Sequence, residues 1–139
     1  MSNFDFLKDR TEYALFSRAC IEAEKVYATS PAKCAIRCRE ALELAVKWVY
    51  AADSTMTEPY RDNLQSLIHE DSFMYAVDQR VWRSLQYVIR LGNLAVYNEK
   101  AVRPSDAVAA MSVLFDFIEW LDCCYGTEYE ERQESICQT

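Results

Sequence analysis

Glycine and proline are scarce, with 2 and 3 residues in a chain of 139. A sandwich or barrel of many short strands depends on such residues for its turns, so their scarcity excludes those architectures and leaves helices. The two glycines, Gly92 and Gly126, stand far apart. Walker A loops and dinucleotide-binding fingerprints both need glycines at short fixed spacing, so neither nucleotide site is written here. Histidine occurs once, at His69 in LIHED, with no nucleophile elbow or partnered cysteine beside it, and it is assigned no catalytic role. Long apolar runs are missing too. The longest, ALELAVKWVYAA, is broken by Glu43 and Lys47 and falls short of the ~20 residues that a membrane span needs. The opening MSNFDFLKDR meets charge at Asp5 with no apolar stretch, which predicts no signal peptide and a cytoplasmic chain without membrane partners. Basic charge is in deficit: 15 Lys and Arg stand against 22 Asp and Glu, a net charge of −7. The chain as a whole therefore repels nucleic acid, and any phosphate contact has to be local.

What is present is apolar and aromatic, at 51 % and 13 % of residues. That supports one packed domain at this length. Helical spacing of Tyr13, Phe16, Cys20, Ala23 and Tyr27 predicts a first helix from about Phe4 to Tyr27. Ser30 followed by Pro31 reads as an N-cap and first helical position, opening a second helix that runs to about Ala52. DSTMTEPYRDN is a loop, Leu64, Leu67 and Ile68 suggest a short helix, and Asp71 or Ser72 caps another turn. A further long helix spans about Asp78 to Tyr97, NEKAVRP breaks it, and Ser105 is expected to cap a last helix ending at Tyr125. Gly126 then sits where a left-handed C-cap residue belongs. The expected fold is all-α, an antiparallel helical bundle of four to five helices over residues 1–126, with 127–139 as an acidic tail or the start of a linker.

On a helical wheel centred on Arg90, the side chains of Gln86, Asn93 and Tyr97 fall within about 60° and form one polar stripe. Val81, Leu85, Val88, Gly92 and Ala95 lie opposite, while Ile89, Val96, Leu91 and Leu94 occupy the flanks, which predicts a helix buried over most of its circumference. An arginine in such a helix needs a partner: an ion pair or interface that satisfies it, or a cleft that presents it to an anion. From Asp78 to Arg103 the positives Arg80, Arg83, Arg90, Lys100 and Arg103 outnumber Asp78 and Glu99, a local sum of 5 − 2 = +3. Arg80, Arg83, Lys100 and Arg103 are thus candidates for nucleic-acid contact. The competing reading is neutralisation by the last helix, whose Asp106, Asp116, Glu119 and Asp122 sum to −4. Spacings among the six cysteines do not match a structural zinc site, so no metal or cofactor is expected, and the thiols are read as small core side chains. Trp48, Trp82 and Trp120, one per long helix, are read likewise as core.

The stretch VIRLGNLAVYNEKAVRPSDA, with Arg90, six intervening residues and Tyr97 ahead of a polar break and a last helix, resembles the HEPN superfamily. Taken with SPAKCAIRCREALELAVKWVY and DNLQSLIHE, it looks like the HEPN-like domain at the N-terminus of type I restriction enzyme R (motor) subunits, a likeness covering about residues 1–126. In catalytic HEPN proteins an arginine followed by a histidine cleaves RNA without metal at a cleft shared by two protomers. Here the histidine position is Tyr97, and a phenol is a poor general base near neutral pH. The resemblance therefore implies a non-catalytic docking or oligomerisation module, with Gln86, Arg90, Asn93 and Tyr97 facing an anion or a partner. Its implied partners are the remainder of an R subunit and the restriction-modification complex, which translocates DNA with ATP and cleaves it, or a second copy in a homodimer. A HEPN-type ribonuclease built on Arg90, Asn93 and Tyr97, and a nucleic-acid-binding module, remain as alternatives.

Overall fold

The computed structural model describes residues 4–126, so the segment 127–139 and Cys137 lie outside the described residues. Within them no strand occurs. Four long helices, α1 (Ala14–Tyr27), α2 (Pro31–Ala52), α5 (Gln79–Tyr97) and α6 (Pro104–Tyr125), form a bundle, and the short α3 (Leu64–His69) and α4 (Asp71–Ala76) bridge α2 to α5. Three 3-10 segments complete the path, at Asp5–Asp9, Thr11–Tyr13 and Glu99–Ala101.

Local chemistry sets most boundaries. Ser30 Oγ accepts from the Lys33 amide at 3.1 Å and Pro31 fills the first helical position of α2, as the sequence predicts. The Asp78 carboxylate takes the amides of Arg80 and Val81, at 2.9 and 3.3 Å, and so opens α5. α6 starts two residues earlier than expected. Pro104 takes its first position, Ser105 lies inside the helix, and Asp106 reaches back to the Arg103 amide at 3.0 Å. The reason is that proline has no N–H to leave unsatisfied at that position. Gly126 is not left-handed; its φ is −73° and its ψ is 145°. What its position demands is space, because a Cβ there would collide with Asp122 Oδ1 and lie 2.6 Å from the Tyr13 hydroxyl.

α2 is the central helix and contacts α1, α5 and α6. Its inward positions are mostly small, including Ala35, Cys38, Ala41 and Ala45, which lets three helices approach one axis closely. Phe16 from α1, Leu85 and Val88 from α5, and Leu114, Phe117 and Leu121 from α6 fill the space around it. Trp120 is buried, while Trp48 and Trp82 are half-buried, their ring N–H groups donating to the Glu12 and Ile68 carbonyls. Cys20, Cys34 and Cys38 are buried, and burial holds the Cys20 thiol above its usual range. Cys123 and Cys124 are exposed, against the expectation of core thiols, because the last turn of α6 turns Leu121 and Asp122 inward instead.

The N-terminus departs most from the sequence reading. In place of one helix from Phe4, the chain makes two 3-10 segments separated at Arg10. Arg10 breaks the helix because its side chain turns into the bundle and meets Asp122, 112 positions away. Its Nη2 lies 2.7 Å from Asp122 Oδ1, and its guanidinium sits 5.0 Å from the Tyr13 ring centroid. The Tyr13 hydroxyl donates to the same carboxylate. Burial opposes the Arg10 charge, but hydrogen bonds to Glu12 and Asp122 outweigh it and keep the group protonated. Burial, reinforced by the bond to Asp122, pushes the Tyr13 hydroxyl far above the ordinary phenol range.

Candidate functional site

The wheel drawn from the sequence places the residues of α5 correctly with respect to one another. Val81, Leu85, Val88, Gly92 and Ala95 are all buried against α2 and α6. The polar stripe, however, faces solvent: Arg90 and Asn93 are exposed, Gln86 is half-buried and Tyr97 is 88 % exposed. α5 is therefore buried along its inward side and not, as its apolar flanks predict, over most of its circumference. No described element covers the outward side, and even the flanking Leu94 and Val96 remain 41 % and 57 % exposed. Arg83, Arg90 and Tyr97 recur every seven residues, so they stand in line at intervals of two turns, or about 10 Å.

Asn93 belongs to a different contact. Its Oδ1 accepts from Arg39 Nη1 of α2. The Arg39 side chain crosses directly over Gly92, where an added Cβ would meet the Arg39 Cβ at 2.7 Å. Gly92 therefore allows the close passage, and Asn93 anchors the arginine that uses it. Together they fix α5 on α2 and leave Arg90 and Tyr97 as the free members of the stripe.

Neutralisation of the basic segment by α6 is not what the structure builds. Among the described residues, Arg103 alone of these bases forms an ion pair with that helix, its Nε lying 3.5 Å from Asp106. Asp122 is committed to Arg10 at the far end of α6, and Glu119 is buried. Asp116 is half-buried in a cleft of about 220 Å³ shared with Asp78, Arg80, Val81 and Ser84, and loss of hydration pushes its carboxyl above the ordinary range. Among the described residues, the exposed Arg80, Arg83, Arg90 and Lys100 form no ion pair. The outward face of α5 is thus a basic strip with exposed aliphatic and phenolic side chains, on a protein of net charge −7.

Other chemistry-bearing groups lie away from this strip. His69 is exposed at the end of α3, its Nδ1 2.9 Å from the Gln65 carbonyl oxygen and its ring edge-on to Trp82. Trp82 precedes Arg90 by eight residues, so the backbones of these two residues stand about 12 Å apart along the α5 axis. A second cleft, of about 290 Å³, is lined by Lys47, Tyr50, Ala51, Glu58, Asp62 and Leu67. Neither cleft is lined by Arg90, Asn93 or Tyr97. No cluster of three His, Cys, Asp or Glu side chains suited to a metal occurs among the described residues. None of their helices is long and apolar enough to cross a membrane. The buried Arg10, Tyr13 and Asp122 cluster escaped the sequence reading; its one local signal was an aspartate following Trp120 and Leu121 on an apolar helix. Compared with protein-family models, with curated proteins and with solved structures, the chain matches none.

Proposed function

We propose that this chain is a helical docking module that contacts a partner through the outward face of α5. The observation that carries the reading is the exposure of Leu94 and Tyr97 beside Arg90, which has no ion pair among the described residues, on a helix fixed to the core by Gly92 and Asn93. Tyrosine and arginine are the side chains that interfaces favour, because each offers a large contact with a polar end. The resemblance to the HEPN-like domain of type I restriction R subunits gives the reading a context. In it the partner is the rest of an R subunit and its restriction-modification complex, or a second copy, within machinery that moves and cuts DNA using ATP. The ribonuclease alternative is less well supported: Tyr97 stands in for histidine, and the one histidine of the chain, His69, packs on Trp82, eight residues before Arg90 on α5.

The test pairs association with folding. Sedimentation velocity over a wide concentration range, alone and with candidate restriction subunits, should show association that Arg90→Ala and Tyr97→Ala weaken without changing the thermal midpoint. Unchanged association in both variants, or Arg90-dependent cleavage of single-stranded RNA, would overturn the proposal.

A further inference from the structure

We infer that the partner of this face is an acidic amphipathic protein helix, an inference that rests on the docking reading above and adds the chemistry of what docks. Arg83 and Arg90 are exposed, without an ion pair among the described residues, and two turns apart on α5. A second helix laid along α5 places carboxylates seven residues apart at the same interval of about 10 Å, because both follow the same rise per residue. Each guanidinium can then take a carboxylate through two parallel N–H donors. Leu94, about 40° around the helix from Arg90, borders the strip and calls for an aliphatic side chain on the partner's adjoining position. Charge complementarity thus sets the register, and apolar contact at the Tyr97 end closes the interface against water.

Nucleic acid fits the same face less well. A phosphate backbone makes no use of the exposed Leu94 that borders the two arginines.

Three probes test the inference against isotopically labelled chain by amide chemical-shift titration. The first is a capped helical peptide with two glutamates seven residues apart and leucines between them. The second is the same peptide with glutamine in place of glutamate. The third is a single-stranded oligothymidine. The acidic peptide is expected to shift the resonances of α5 between Arg83 and Tyr97, and to bind about tenfold more tightly than the glutamine version at low salt. Arg83→Gln and Arg90→Gln should each remove several-fold of that difference while leaving the spectrum folded. Equal binding of the two peptides, or tighter binding of oligothymidine at the same resonances, overturns the inference. If neither peptide binds but the chain self-associates in a manner that Arg90→Ala weakens, the acidic partner is rejected and the docking reading survives. If neither peptide binds and no association depends on Arg90 or Tyr97, both fall.

Discussion

Removing the carboxylate of Asp122 should be among the most damaging single substitutions in this chain. Asp122 is 0 % exposed and Arg10 8 % exposed, and the carboxylate accepts from both the guanidinium and the Tyr13 hydroxyl. Asp122→Ala strands a buried cation and a buried hydroxyl together. Breaking a buried pair by deleting one partner costs about 3–5 kcal/mol. Glu12 is 3.3 Å from Arg10 and retains part of the guanidinium's hydrogen bonding, so the lower half of that range, about 3–4 kcal/mol, is expected. For a domain of this size that corresponds to a fall in thermal midpoint of roughly 10 °C. Urea denaturation followed by tryptophan fluorescence measures it, because Trp48 and Trp120 both pack on Tyr125 beside the cluster. The companion variant Arg10→Met/Tyr13→Phe/Asp122→Leu removes every polar atom of the triad and should recover most of the loss, to within about 1–2 kcal/mol of the parent. A loss below about 1 kcal/mol in Asp122→Ala, or a triple variant as unstable as the single one, would refute the argument that desolvated charge sets the cost.

Gly92→Leu should destabilise by about 1–3 kcal/mol, since even a Cβ meets Arg39 at 2.7 Å; equal urea midpoints would contradict the close helix approach. Asp116→Asn should be more stable than the parent at pH 7, because loss of hydration raises the native carboxyl pKa and its charged form is the disfavoured one. That gap should close as the pH falls and Asp116 protonates; a gap that widens in acid would reverse the assigned sign. The Tyr50 phenol is pushed up to about 12, chiefly by burial, so its neutral form contributes stability below the unfolded value of about 10 that is lost as pH rises from there toward 12. Tyr50→Phe should flatten this alkaline decline, and identical slopes between pH 9 and 11.5 for the two proteins, on the order of the window set by those values, would count against it.

Features written in adjacent residues were legible from the sequence. Ser30 and Pro31 mark the start of α2 because cap and first-turn chemistry is local, and the inward face of α5 follows from spacing alone. A wheel states which side chains share a side, but not whether another element covers that side. For this reason the spacing predicts Arg90 inside while the structure places it outside: apolar Leu94 and Val96 suggest a covered helix, yet both remain exposed. The Arg10 and Asp122 pairing was illegible for a related reason, since its partners are 112 positions apart and neither has a local signal strong enough to name the other. Gly126 shows the same limit. Its place after α6 suggested a conformational role, whereas the constraint is the room needed by Asp122 and Tyr13 from distant parts of the chain.

Side-chain footprinting with hydroxyl radicals reads the outward face of α5 most directly. Tyr60, 102 % exposed in the loop after α2, serves as an internal reference for Tyr97. In dilute purified protein the two tyrosines should oxidise at similar rates, and inside cells Tyr97 should be protected several-fold relative to Tyr60. Equal oxidation of both tyrosines in cells would mean that nothing occupies the face, and the docking account would be wrong.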